Sequence, residues 1–183
     1  MNATTELLGT ASFPLTGNFL AGRLRHNLSL DDLQYIEGLV ESVEEHDDGA
    51  RLLSRGVKTD RSTILIEGYI FRTIESEKKR YITGVHVPGD FVDLHGFALK
   101  RLDHNIDAAG KVKVGSVSHE TLRTVMRDRP GVARAMWFAT LLDAAIHRKW
   151  IQTLEQLDAP QRIAHLYAEL HTRLELVGRG VTR

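Results

Sequence analysis

One stretch constrains this chain more than any other. A helix is predicted from Pro130 to about Leu157, and between Ala135 and Ile146 its only charged residue is Asp143. Proline suits a first helical turn, where its missing N–H costs nothing. Met136, Trp137, Phe138, Leu141, Leu142 and Ile146 go most of the way round the cylinder. A helix apolar on all sides must be covered on all sides. The rest of the chain can cover one face, and a second copy of the helix is the simplest cover for the other. The plainer alternative is a core helix inside a monomer. Burying each large apolar side chain contributes about 1.5–3 kcal/mol, so a helix–helix interface here would be strong. The residues expected in it are Met136, Trp137, Leu141, Leu142, Ala145, Ile146, Ile151 and Leu154.

The segment before this helix follows a different period. Residues 1–18 mix Gly, Pro, Ser, Thr and Asn with scattered apolars, and read as a loose arm docked at its end. Ser29 and Asp32 have the spacing of a capping box, in which hydroxyl and carboxylate satisfy free backbone N–H groups. Leu33, Ile36, Val40 and Val43 then mark a helical apolar face, and Glu44–Gly49 reads as an acidic turn. From Ala50 short runs rich in Ile, Leu, Val, Tyr and Phe predict strands at Ala50–Arg55, Ser62–Ile74, Arg80–Val87, Ile106–Ala108 and Lys111–Val117. Gly56, Gly68, Gly84, Pro88-Gly89 and Gly110 punctuate them. Ser118 caps a short helix carrying Leu122, Val125 and Met126. After the long helix, Asp158 and Gln161 open a last one, with an apolar face of Ile163, Leu166, Tyr167, Leu170, Leu174 and Val177 and a stop at Gly178.

Composition narrows the class. Lys+Arg and Asp+Glu both number 24 in 183 residues, so the formal net charge is zero and nucleic-acid binding through this segment is not expected. There is no cysteine, which excludes disulfides and cysteine-held metal or iron–sulfur clusters. The first residues lack the basic start and apolar run of a signal peptide. No run reaches the ~18 apolar residues a membrane helix needs. A cytoplasmic location is expected.

The order of elements is helix, β roll, short helix, long apolar helix, then one more helix. That order resembles the bacterial Crp/Fnr transcription regulators. Glu67-Gly68-Tyr69-Ile70-Phe71 is similar to the family's strand after its first turn. Pro88-Gly89-Asp90-Phe91 resembles the turn that leads into its ligand cassette. Leu157-Asp158, followed by Arg162-Ile163-Ala164, resembles the hinge and first helix of its DNA-binding half. The stretches Gly89–His95, Asp103–Ile106 and Ala144–Arg148 resemble a branch common in proteobacteria. The likeness covers about residues 30–178. It implies an α+β, mainly β fold: a jelly-roll-like double-stranded β-helix of the cyclic-nucleotide-binding type, flanked by helices. The expected division is 1–129 for arm, first helix and sensor roll, 130–157 for the dimerisation helix, and 158–183 for the first helix of a DNA-binding half. A helix-turn-helix is expected beyond Gly178 in a longer protein, as a homodimer's means of reading DNA.

The family's cyclic-nucleotide binders use Gly-Glu-Leu and, about ten residues later, Arg-Ser or Arg-Thr. The carboxylate takes the ribose hydroxyl and the guanidinium holds the phosphate. Here the first element reads Asp93-Leu94-His95 and the second Leu102-Asp103-His104, with Arg101 near the arginine position but not on it. Asp103 and Asp107 would face a phosphate, and one such like-charge contact costs about 4 kcal/mol at an effective dielectric near 20. A cyclic nucleotide is therefore not the expected cofactor; an unidentified small molecule, or haem, is left open. Pocket candidates are Asp93, Leu94, His95, Arg101, His104, Asn105, His147 and Arg148. Histidine titrates near neutrality and ligates metals, although a turn histidine more often satisfies a backbone carbonyl. No metal site is expected, because His86, His95 and His104 are far apart in sequence and no His-x-His occurs. A cupin-like metalloenzyme is the rival reading, and it lacks its ligand pattern here. No catalytic motif is found, so no enzyme is expected. A dimerisation module without ligand is the third reading.

Overall fold

The computed structural model describes residues 9, 11–77 and 79–179. Its elements are α1 (Leu30–Glu37), β1 (Ser42–His46), β2 (Arg51–Leu53), β3 (Arg61–Ser76), β4 (Lys79–His86), α2 (Gly96–Leu99), β5 (Asn105–Ser118), α3 (His119–Asp128), α4 (Pro130–Gln156) and α5 (Ala159–Leu176). The strands form one antiparallel sheet in the order β1-β5-β3-β4, with β2 also on β5.

Two long strands, β3 and β5, make the roll. The first half of β3 pairs with the second half of β5, and the second half with the first. Register slips on either side of Glu67, opposite a positive φ at Gly110, crease the pair. Gly68 sits at φ +84°, where a Cβ would meet the Lys111 carbonyl oxygen at 2.3 Å. Only glycine takes that conformation without strain. The crease folds the sheet over a small core of Leu65, Ile70, Val92, Leu102, Ile106, Ala108, Val112 and Val114, drawn from both halves. A second core lies between sheet and helices, built on Phe19, Leu33, Ile36, Ile64, Val117, Leu122, Val125, Val132, Ala135 and Met136. This is the jelly-roll-like, mainly β architecture with flanking helices that the sequence implies.

Several expectations need correction. The described part of the arm is not loose: Phe13 and Thr16 are buried, and Phe19 and Leu20 just beyond it are too. The Glu37 carboxylate holds it, accepting from the backbone N–H of Leu15 and Thr16 at 2.9 Å each. The rest of the expected arm, residues 1–8 and 10, lies outside the described residues. Ser42–His46 is a strand, not a helix end and turn, because the edge of β5 offers it backbone partners from Ser42↔Ser116 to His46↔Val112. The two strands expected around Gly110 are one strand bent at that glycine. The two capping boxes form as read, Ser29 with Asp32 and Asp158 with Gln161.

Helix α4 settles its own faces. Val132, Ala135 and Met136 point inward, at 0%, 0% and 1% exposure. Leu142 and Ile146 follow on the same side and line a cavity of about 50 Å³ with the arm, the Pro88-Gly89 turn and α5. Met136 therefore belongs to this chain's own core and not to an outer interface, while Leu142 and Ile146 are half-buried on the same side. The outward stripe is Trp137 (66% exposed), Leu141 (49%), Ile151 (63%) and Leu154 (59%), with Ala145 exposed beside it. The reason is the helical period: residues three and four apart share a face. No helix among the described residues is long and apolar enough to cross a membrane.

Candidate functional site

The candidate site lies where the roll meets α4, and an arginine stands at its centre. Arg72 comes from β3 on the same side of the strand as Ile70, and both are buried. Its guanidinium reaches α4, where Nη1 and Nη2 each donate to Asp143 Oδ2 at 3.1 Å. Nη1 also lies 2.9 Å from His147 Nε2, and Nη2 donates to the Val92 carbonyl at 3.3 Å. His147 Nε2 is in turn 3.1 Å from the Thr83 carbonyl oxygen. Strands β3 and β4 are thus tied to one turn of α4. Burial works to raise the Asp143 carboxyl, but the charge of Arg72, followed by His86 and His147, holds it below its ordinary range.

A second polar chain runs toward α5. Arg173, only 6% exposed, donates to Asp90 Oδ2, to the Val85 carbonyl at 2.9 Å and to Glu169 at 3.0 Å. Asp90 also accepts from the Val87 N–H at 3.0 Å and lies 3.5 Å from His86 Nδ1. Burial pushes the Asp90 carboxyl up, yet the His86 hydrogen bond and the Arg173 charge bring it down to about 2. The turn that carries Asp90 needs Gly89, whose φ is +95° and whose added Cβ would meet the Asn18 carbonyl oxygen at 2.2 Å.

The sequence-derived pocket residues scatter. Asp93 is fully buried, and its carboxylate accepts from the Thr63 N–H at 2.6 Å, so it braces the start of the cassette against β3. Burial raises that carboxyl to about 7. Leu94 is part of the helix-side core. Arg101 is exposed and donates to the Gly56 carbonyl at 2.6 Å, away from Arg72. Asn105 is buried and accepts from the Arg55 N–H at 2.8 Å. Arg148 is exposed on the outer side of α4. Leu94, Arg101, Asn105 and Arg148 are not brought together; their places are set by core packing, strand edges and the helical period.

His147 touches Arg72, whose charge also acts on His95 and His104. The His95 and His104 rings lie 5.2 Å apart, centre to centre, across the short excursion that contains α2. His104 Nδ1 is 2.6 Å from Asp103 Oδ1, and its Nε2 is buried with no hydrogen-bond partner among the described residues. Burial first, then the Arg72 charge, pushes both rings down to about 4. Arg72 and Asp143 were missed as site residues. The available signal was a lone charge on the inward side of an apolar strand and a lone charge in an apolar helix, which need each other once both are buried.

A β roll, a short cassette helix and a long helix clasped to the roll define a fold: that of the cyclic-nucleotide-binding domain. The chain is similar to the c-di-GMP-responsive global regulator CLP of Xanthomonas campestris, with a TM-score of 0.65 and 14% identity over 78% of this chain and 72% of that one. It is similar to FixK2 of Bradyrhizobium japonicum, with a TM-score of 0.67 and 17% identity over 72% of this chain and 66% of that one. It is also similar to a cyclic nucleotide-binding domain from Methylobacillus flagellatus, with a TM-score of 0.60 and 12% identity over 72% and 76%. No protein-family model and no curated protein matches the sequence.

Proposed function

We propose that this chain is the effector-sensing and dimerisation region of a Crp/Fnr-like DNA-binding transcription regulator. The observation that carries the reading is the Arg72–Asp143–His147 clasp, which links the sensor roll directly to α4. In this reading α4 is the dimer helix, and its outward stripe of Trp137, Leu141, Ile151 and Leu154 meets the same stripe of a second copy. A signal reaching the clasp shifts the balance between clasped and released α4, by no more than its difference in affinity for the two. DNA contact falls to a helix-turn-helix following α5 in the longer protein, and the protein acts in the cytoplasm without catalysis.

The reading does not include tight cyclic-nucleotide binding. The cassette has neither the glutamate nor the arginine of the binders, and Arg72 is already neutralised by Asp143. That internal pairing of Arg72 with Asp143 favours a second reading, a dimerisation module with no ligand.

Two measurements test this. Sedimentation should give a dimer for the natural chain and a monomer for the Leu141→Asp, Ile151→Asp double variant. A monomeric natural chain, or a double variant that still dimerises, would sink the dimer helix. Calorimetric titration with cyclic AMP, cyclic GMP and c-di-GMP should give no saturable heat for the first two. Tight binding of either would overturn the cassette argument, and a response to c-di-GMP alone would name the effector and exclude the ligand-free reading.

A further inference from the structure

The fold brings together one group of side chains that the regulatory reading does not use. His95 stands at the N-terminal end of α2, and Asp103 and His104 stand where the chain returns toward β5. One ligand atom from each lies within 4.8 Å of the other two. The group differs from an ordinary cluster of surface polar residues. His104 is 4% exposed, and its Nε2 has no partner among the described residues. A buried imidazole nitrogen left without a hydrogen bond costs free energy unless something else satisfies it. The Asp103 side chain is 83% exposed, so the cluster has an open side through which an ion can enter.

We propose that His95, Asp103 and His104 form a three-ligand site for a divalent first-row transition metal of the zinc, cobalt or nickel class. Two imidazoles and a carboxylate suit these borderline ions better than calcium or magnesium, which prefer all-oxygen shells. Metal–nitrogen bonds of ~2.0 Å require ligand atoms about 3.3 Å apart. Asp103 Oδ1 already lies 2.6 Å from His104 Nδ1, so closing the shell takes small shifts of Asp103, which is exposed, and of His95, which is half-buried. The Arg72 charge that acts on both rings is offset by its pairing with Asp143, and Asp103 contributes a further negative charge. Three protein ligands leave a fourth position for water or an exchangeable small ligand. The bound ion would staple the two ends of the cassette excursion, whose α2 residue Phe97 packs on the helix-side core.

The site rests on these three residues and holds whether or not the chain dimerises or regulates transcription. The test is titration of the chelator-stripped chain with Zn²⁺ by calorimetry and with Co²⁺ by visible absorption. The expected result is one ion per chain and a cobalt d–d band showing bound nitrogen and oxygen ligands. Asp103→Asn and His95→Gln, both outside the packed core, should each weaken binding about tenfold or more. His171→Ala removes the most plausible competing surface pair, His171 and Glu175 at 3.2 Å, and should change nothing. Unaltered binding in Asp103→Asn and His95→Gln, loss of binding in His171→Ala, or no binding by the natural chain would each overturn the proposal.

Discussion

At the scale of single residues, the balance at the roll–helix junction is set by charges that have no water to turn to. Arg72 is 5% exposed and donates twice to one carboxylate oxygen. Removing one member of such a pair strands the other, which is worse than removing both. Because the Asp143 side chain is 31% exposed, water recovers part of the loss. Arg72→Met should therefore destabilise the chain by about 2–3 kcal/mol, and Arg72→Met with Asp143→Asn by less than the sum of the single changes. Urea unfolding of the four members of this cycle measures the coupling; simple additivity would mean that the two residues do not act as a pair. Gly68 tests the crease. Gly68→Ala places a Cβ against the Lys111 carbonyl at a positive φ, and should cost about 2 kcal/mol or more in the same assay. Its legibility was partial: Gly68 was visible as punctuation, but the partner strand that makes glycine necessary there was not.

At the scale of elements, α5 is fastened to the roll by the Arg173–Asp90 pair and to α4 by the Trp150 indole N–H, which donates to Glu169 at 2.6 Å. The Asp90 carboxyl titrates at about 2 when folded and near ~3.9 when unfolded. Between those values the unfolded chain binds more protons, so stability falls as pH falls. The His86 hydrogen bond first, and then the Arg173 charge, hold Asp90 ionised; this contribution is full above about pH 5 and is lost as pH drops toward 2, a change of about 2–3 kcal/mol. Stability followed between pH 5 and 2 should show this slope in the natural chain and a shallower one in Asp90→Asn. Equal slopes would place the acid sensitivity elsewhere. Elements were read well where a local rule decides them: both capping boxes, the Pro130 start of α4 and the Gly178 stop. Strand β1 was misread because nothing local makes Ser42–His46 extended; the edge of β5 does.

At the scale of the whole molecule, the exposed stripe of α4 decides how the chain exists in solution. Trp137, Leu141, Ile151 and Leu154 are all about half exposed or more along one side of a single helix. If a second copy covers them, folding and association are linked, and the unfolding midpoint must rise with protein concentration. A hundredfold dilution should lower the Tm of the natural chain and leave that of the Leu141→Asp, Ile151→Asp variant unchanged. A concentration-independent Tm in both would argue for a monomer with an exposed apolar helix.

The amino-acid sequence by itself determined the class of fold and the existence of a long apolar helix. The helix follows from periodicity, which is local; the class of fold was implied by the resemblance in motifs and order of elements. It also excluded cysteine chemistry and argued against a cyclic-nucleotide cassette, from the residues at its key positions. Only the tertiary structure decided which side of α4 faces out. It moved Met136 into the core and left Leu142 and Ile146 half-buried beside it, because a helix apolar nearly all round carries no mark of its inner face. It also paired Arg72 with Asp143 across 71 residues and brought His95 against His104. Contacts between groups far apart in the chain are chosen by how the layers stack and by the cost of leaving a buried charge alone, and neither is written in any single stretch of sequence.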